Sequence, residues 1–388
     1  MHPLFLLTPL AVALLGAPAS TQQPAPSAPA TSPAAALQRE RVALVRKVRP
    51  SVVTLRAYRR AAPAVAEATA DGGWTAPAAE ATYPGFVEYA ACSGFVVSQD
   101  GEVLAVQNLL RDADGELPDL IDLELHDHQR VIAELVGSEP TVNLAIVQAT
   151  VFPNGHSRQL VPLAFGDSDQ MLPGMEVLCI GDPSGPERFC TFATFVTLPE
   201  RDCYQDLMSA FYQQIATVVP DGAYGGPVVD YAGNVVGVLA PRDWQPGAPS
   251  RPRTGLELAL PSKIVKTLHA AIRDVKSFRS PWFGFAVMSR PEIAAVHGTE
   301  YYTQLNKPRT GILVENVFEP SPAKAAGVQP GDFLVGFGDT RIFTPVDFQR
   351  CLYLTGVGGK ARLELWRAGE KVEVELMVEE RPATAVPR

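Results

Sequence analysis

The sequence predicts a mainly β chain of short strands and tight turns, in two unequal globular units behind a non-globular N-terminus. Three observations carry this. Glycine and proline number 31 and 35 of 388 residues, about 17% of the chain against a usual 12%. Short β-branched runs alternate with turn chemistry, most plainly Phe95-Val96-Val97, Asp100-Gly101 and Val103-Leu104-Ala105, a hairpin with an Asp-Gly turn. Arg279-Ser280-Pro281 then breaks the chain ahead of a final stretch with its own alternating strands.

The length admits two or three domains of about 150 residues. With 46% hydrophobic residues the chain can bury a core, which excludes disorder throughout. A net charge of −9 argues against a nucleic-acid partner, which needs a basic stripe. No apolar run reaches the roughly 18 residues of a membrane span.

Taken in order, Leu4 to Leu15 is a short apolar stretch, broken at Thr8-Pro9 and followed by the small-x-small site Ala17-Pro18-Ala19. It reads as a signal peptide over 1–19 and predicts a periplasmic or secreted protein. Residues 20–36 contain only Pro, Ala, Ser, Thr and Gln and read as a flexible linker. Leu37 to Val48 is a short amphipathic helix stopped by Pro50, Ser51 to Leu55 a strand, and Ala61 to Thr82 a long surface loop. After the Asp-Gly hairpin, a second hairpin runs from Val228-Val229 through Asp230 to Asn234 and into Val235 to Val238. Short strands at this spacing point to a barrel or sandwich. Pro261 to Ile272 is a helix. Beyond the break come a strand at Gly311 to Val317, a capped helix at Ser321 to Gly327, a helix at Asp347 to Leu354, and a hairpin from Arg362 to Trp366 and Lys371 to Val378. Val372, Val374, Leu376 and Val378 alternate there, so one face is buried. Residues 381–388 read as a loose tail, and there is no internal repeat.

The five cysteines lie at 92, 179, 190, 203 and 351, so one thiol at least is unpaired within the chain. Cys190 and Cys203 could bridge in an oxidising compartment, although small buried hydrophobes are the favoured reading. No CxxC or Cys/His cluster suggests a zinc site, and no cofactor is expected.

Several segments together resemble the HtrA/DegP-like family of exported trypsin-like serine proteases with a C-terminal PDZ domain. They are Val48 to Val53, Ser93 to Gly101, Val136 to Pro140, Asn143 to Val147, Ile180 to Gly185, Gly225 to Val229, Leu258 to Ser262 and, in the last unit, Pro320 to Asp332. The resemblance covers about residues 40 to 380. It implies a trypsin-like double β-barrel at 37–277, two six-stranded antiparallel barrels with a cleft between them, and a PDZ domain at 281–380.

The resemblance also locates three catalytic motifs, and each has exchanged its functional residue. Acyl transfer by a serine protease needs a hydroxyl to attack, an imidazole to carry its proton and a carboxylate to hold the imidazole. Asn108 stands where the family has histidine, Asn143 where it has the acid, and Tyr224 where it has the serine. A carboxamide has no proton acceptor that titrates near neutrality. A phenol of pKa about 10 without a base is a poor nucleophile. Gly222 remains of the oxyanion loop, and losing one triad member already removes several orders of magnitude in rate. The histidines beyond His2, at 126, 128, 156, 269 and 297, stand at no strand end beside a serine motif. His126 and His128 could offer two ligands in a turn, a weak metal site. Cys92, without a general base, is a poor substitute nucleophile.

For the PDZ unit the resemblance implies strand addition: a peptide joins a sheet edge and its terminal carboxylate meets backbone N–H groups. Trp282-Phe283-Gly284-Phe285 suggests that loop, with Gly284 admitting the ligand backbone and Phe283 and Phe285 shaping an apolar pocket, or serving as plain core. The expectation is an exported, inactive protease relative that binds peptides or unfolded C-termini as scaffold, regulator or chaperone-like factor, with a trimer or an active relative as partner. The alternative is an active endopeptidase using other residues.

Overall fold

The structure, a computed structural model, describes residues 32–61, 82–112, 114–139, 142–151, 160–182, 189–197, 212–220, 222–241, 255–275, 279–302 and 308–382. The signal peptide, the Ala61–Thr82 loop, His156, Cys203 and the end of the tail thus lie outside the described residues, wholly or nearly so.

Helix α1 (Pro33–Val48) begins inside the stretch read as linker. Pro33 sits at the first position, where a missing N–H costs nothing, and the Ser32 hydroxyl accepts from Ala35 N at 3.2 Å. Three consecutive alanines then favour helix, a propensity that composition alone had obscured.

Strands β1 (Val52–Arg60), β2 (Phe86–Val96), β3 (Glu102–Val106), β4 (Leu120–Glu124), β5 (Arg130–Glu139) and β6 (Leu144–Val151) close into a barrel in the order β1-β2-β3-β6-β5-β4. The Asp-Gly hairpin joins β2 to β3, with Val96 opposite Val103 and Gly101 at φ +95°. The strand foreseen at Ser51 to Leu55 runs on to Arg60, because each residue pairs with β2. Strands β7 (Glu176–Gly181), β8 (Cys190–Phe195), β9 (Gln213–Ile215), β10 (Pro227–Val229), β11 (Val235–Ala240) and β12 (Glu257–Pro261) form a second antiparallel sheet, β8-β7-β10-β11-β12-β9. A bridge from Val196 to Ile215 brings its two ends together. The second foreseen hairpin is β10–β11, its turn held by Asp230 Oδ1, which accepts from Ala232 N and Asn234 N at 2.9 Å.

One apolar core joins the two barrels: Phe95, Leu104 and Leu144 from the first meet Ile180, Val238 and Leu260 from the second. Helix α2 (Ser262–Val275) lays Ile264, Val265, Leu268 and Ile272, a helical stripe, on this core. Leu44 and Val48 of α1 enter the same core.

The last unit holds β13 (Pro281–Trp282), β14 (Phe285–Met288), α3 (Arg290–His297), β15 (Ile312–Val317), α4 (Pro322–Ala325), β16 (Phe333–Phe337), β17 (Thr340–Arg341), α5 (Pro345–Thr355), β18 (Lys360–Arg367), β19 (Glu370–Met377) and β20 (Glu379–Glu380). The main sheet runs β14-β15-β16-β18-β19, and β13 pairs with β20. That last pairing, with Arg381 N donating to Ser280 O at 2.8 Å, ties the start of the unit to its end, so the tail is anchored at its first residue. Both ends of α5 follow from sequence: Thr344 and Asp347 form a capping box and Gly356 ends the helix at φ +69°. Helix α3 was not foreseen, although Ser289 and Glu292 form the same box.

Candidate functional site

Asn108 follows β3 in a short 3-10 turn, and Asn143 precedes β6, the strand paired with β3. The pairing of Val106 with Leu144 brings the two amides together. Asn143 Nδ2 donates to Asn108 Oδ1 at 2.7 Å, and Asn108 N donates to Asn143 Oδ1 at 2.8 Å. Asn143 is 2% exposed and sits at φ +52°, a left-handed conformation that asparagine tolerates better than most residues. Tyr212, fully buried ahead of β9, donates its hydroxyl to Val142 O at 2.7 Å, so a second-barrel residue steadies the turn carrying Asn143. The amide pair therefore occupies a braced site. It holds two neutral groups that satisfy each other, and neither can take up a proton near neutral pH.

Tyr224 lies on the turn between β9 and β10. Its ring is half-buried and packs against the apolar interiors of both barrels. The turn is fixed by Ser93 in β2, a fully buried side chain whose role the sequence reading missed. Ser93 Oγ donates to Gly222 O at 2.8 Å and accepts from Asp182 N at 2.8 Å, while Ser93 N donates to Tyr224 O at 3.1 Å. Gly225, at φ +90°, has no room for a side chain: a Cβ there would stand 2.1 Å from Ser93 O and 3.3 Å from Val106 N. These contacts press the Gly222–Gly225 backbone against β2 and the end of β3, two residues ahead of Asn108. The motif signal at Ser93-Gly94 was visible in sequence; its hydrogen-bonding partners come from two distant segments, at Asp182 and at Gly222–Tyr224, and were not.

Two buried ionisable groups stand near this framework. Asp182, 1% exposed, has its carboxyl pushed up to about 6, first by burial and then by the charge of Glu124. Cys92, fully buried next to Ser93, has its thiol pushed up to about 12 by burial, so almost none is thiolate at neutral pH. The described thiols of Cys179, Cys190 and Cys351 are also free and raised by burial.

The histidines lie elsewhere. His128 approaches Glu124 at 3.6 Å in the β4–β5 turn. His297 ends α3 and stacks on Tyr301 at 5.0 Å. His269 Nε2 lies 3.3 Å from Glu102 Oε2, with Arg273 Nε 3.0 Å from the other oxygen. This acid–imidazole pair sits at the start of β3, about 13 Å along the strand from Val106, beyond which the chain turns into Asn108. Its third member is a guanidinium rather than a hydroxyl, and burial holds the imidazole below its ordinary pKa. Among the described residues no group of three His, Cys, Asp or Glu could hold a metal ion.

In the last unit, β14 ends the sheet order, so its outer edge has no strand partner among the described residues. Helix α5 flanks it: Phe348 stacks on Phe285 at 5.2 Å and lies 6.1 Å from Phe283. Phe283 is 2% and Phe285 8% exposed, so both rings belong to the core of this unit. Gly284, at φ +88°, leaves its space to Ser321, whose Cβ would lie 2.1 Å from an added Cβ. The loop's shape is thus set by the cap of α4, where Ser321 Oγ accepts from Lys324 N at 3.1 Å.

Comparison with known proteins agrees with this architecture. A family model of the trypsin-like peptidase domain matches residues 92–238, and one of the PDZ domain matches residues 295–378. A probable periplasmic serine endoprotease, DegP-like, of Hahella chejuensis is 28% identical over 291 residues, 75% of this chain and 57% of that protein. Its counterpart in Brucella suis is 27% identical over 295 residues, 75% of this chain and 52% of that protein. The chain thus spans little more than half the length of these relatives. Among solved structures, the HtrA-type protease AlgW with a decapeptide superposes with a TM-score of 0.63 at 22% identity, covering 87% of this chain and 98% of that one. AlgW with a tripeptide gives 0.59 at the same identity, covering 88% and 97%. Two barrels, a PDZ unit and these likenesses give the chain a trypsin-like peptidase fold followed by a PDZ domain, an arrangement similar to that of HtrA/DegP-like proteins.

Proposed function

We propose that this HtrA/DegP-like chain is a catalytically inactive member of the group, exported to the periplasm, that binds peptides or unfolded C-termini through its PDZ domain as a scaffold, regulator or chaperone-like factor. The observation that carries the reading is the pair of mutually bonded amides, Asn108 and Asn143, at the positions of the base and its acid. Without a base, neither Tyr224 nor a serine in its place can be deprotonated for attack. Tyr224, wedged against both barrel interiors, also takes up space that a scissile peptide needs. The Gly222 turn persists, but oxyanion donors without a nucleophile leave only a small residual. The relatives' names support export and, taken alone, an active endopeptidase. Against activity stand the buried, un-ionised Cys92 and the position of the Glu102–His269 pair, far from Tyr224's turn.

For binding, the edge of β14 that has no strand partner among the described residues supports strand addition, with Phe283, Gly284 and Phe285 forming the loop and core behind it. The related AlgW structures contain peptides. Self-association or pairing with an active relative would place such a module where proteolysis occurs. The test is incubation with unfolded casein and a fluorophosphonate probe: neither cleavage nor labelling is the outcome of this reading. Cleavage or labelling abolished by one substitution in the chain would overturn it. For binding, a peptide-library pull-down returning no preference for C-terminal residues would remove the PDZ assignment.

A further inference from the structure

We infer that the PDZ unit carries a second ligand site, on strands remote from the peptide edge, that takes a phosphate monoester borne on a flat or apolar group. A pocket of about 550 Å³ opens over β16, β18 and β19, walled by Pro308 to Thr310 and by the turn into β17. None of its lining residues belongs to β14 or α5. Its volume falls within the roughly 300–1,000 Å³ of small-molecule sites and exceeds what a bare ion needs.

The charge around it is unbalanced. Three cations, Arg309, Arg341 and Lys371, and two acids, Asp339 and Glu364, line the pocket. Each acid has a basic partner: Glu364 Oε2 lies 2.5 Å from Lys371 Nζ, and Asp339 Oδ1 lies 3.3 Å from Arg362 Nη2. Arg309 and Arg341 enter no ion pair or side-chain hydrogen bond among the described residues. Two unmatched guanidiniums on a chain of net charge −9 mark a local site for a doubly charged oxyanion, which their forked N–H groups suit. Thr310 and Thr340 bring hydroxyls to the same walls.

The floor is apolar and kept low. Trp366 and Val335 line it, and both pack against the small cluster under α3. Gly336 stands opposite Glu364 in the β16–β18 pairing, and a Cβ there would come within 3.1 Å of Glu364 Cβ. Glycine at 336 leaves the floor open where any side chain would crowd it. A cationic rim beside an indole matches a phosphate joined to a ring or other apolar carrier better than phosphate alone.

The experiment is isothermal titration of the full chain at low ionic strength with phenyl phosphate, inorganic phosphate and phenol. Phenyl phosphate should bind saturably, more tightly than inorganic phosphate, and phenol should not saturate. Arg309→Gln/Arg341→Gln should weaken phenyl phosphate at least about tenfold, since a charge-assisted hydrogen bond contributes about 1.5–3 kcal/mol and tenfold corresponds to about 1.4. Both arginines are exposed, so the double variant should unfold at the wild-type urea midpoint. Absence of saturable binding, equal binding of phosphate and phenyl phosphate, or retention of affinity by the double variant would each overturn the assignment. The PDZ edge plays no part in these outcomes, so they are independent of the peptide reading.

Discussion

The hydrogen bonds of the amide pair can be weighed by a double-mutant cycle. Asn108→Leu removes the acceptor of the 2.7 Å bond and leaves Asn143 Nδ2, on a residue 2% exposed, without a partner. A buried unsatisfied donor costs about 1–3 kcal/mol, and the half-exposed surroundings of Asn108 favour the lower end. Asn143→Gly removes both this bond and the one from Asn108 N, while glycine accepts φ +52° without strain. Its cost should be about 2–4 kcal/mol. The side-chain bond is lost in both single variants but only once in the double variant. The double variant should therefore fall short of the sum by about 1 kcal/mol or more, beyond the roughly 0.5 kcal/mol by which independent sites depart from additivity. Urea unfolding followed by circular dichroism supplies the energies. Hydrogen exchange at the Asn108 amide, which donates to Asn143 Oδ1, reports the local effect: protection should drop in Asn143→Gly and persist in Asn108→Leu. Additive single variants, or equal protection in all four proteins, would refute the braced pair.

Other expectations follow from the same contacts. Ser93→Ala strips partners from Gly222 O and Asp182 N and should cost about 2–4 kcal/mol, with increased exchange confined to the 222–226 turn; a loss under about 0.5 kcal/mol contradicts its role as the clamp. Tyr353 of α5 is buried in the core shared with the barrels, whereas the neighbouring Arg350–Asp169 pair is more than a third exposed. Tyr353→Ala should therefore loosen the docking of the PDZ unit and enlarge the radius measured by X-ray scattering, and Asp169→Ala should change it little, since exposed ion pairs contribute about 0–1 kcal/mol. Asp182, raised to about 6 from 3.8, is protonated in the folded chain before the unfolded one, so its contribution stabilises as pH falls from 7 towards 4. Thermal melts across that range should show this difference between wild type and Asp182→Asn, and parallel profiles would contradict it. His269 works in the opposite direction: burial holds it below 6.5, so its contribution is lost as pH falls through and below that value, and His269→Gln should remove this loss.

Much of the fold was legible because local chemistry and tertiary structure agree. The Asp100-Gly101 turn, the Asp230 to Asn234 turn and the alternation from Val372 to Leu376 each encode a hairpin on their own. What was illegible depended on partners far along the chain. β1 reaches Arg60 only because β2 lies beside it, and the first-barrel Ser93 acquires its role from Gly222 and Asp182. Helix α3 differs, because its signal is local: Ser289 and Glu292 spell its cap, and Pro291 fits its first turn. At the site, the residue identities of Asn108, Asn143 and Tyr224 could be read directly, whereas the mutual bonding of the two amides and the support from Tyr212 required the structure. Phe283 and Phe285 illustrate the remaining ambiguity: in sequence an aromatic pair can be a pocket wall or a core, and only their burial shows them to be core.

Stepwise restoration of the proton relay tests the central proposal most directly. Tyr224→Ser alone should remain unlabelled by a fluorophosphonate and should not cleave unfolded casein, because Asn108 cannot accept the serine proton. Asn108→His/Asn143→Asp/Tyr224→Ser, with the Ser93 clamp and the Gly222 turn intact, should gain labelling and at least about a hundredfold in cleavage over the single variant, given the several orders of magnitude that a complete triad supplies. Robust turnover by Tyr224→Ser alone, or by the unaltered chain, would contradict the account.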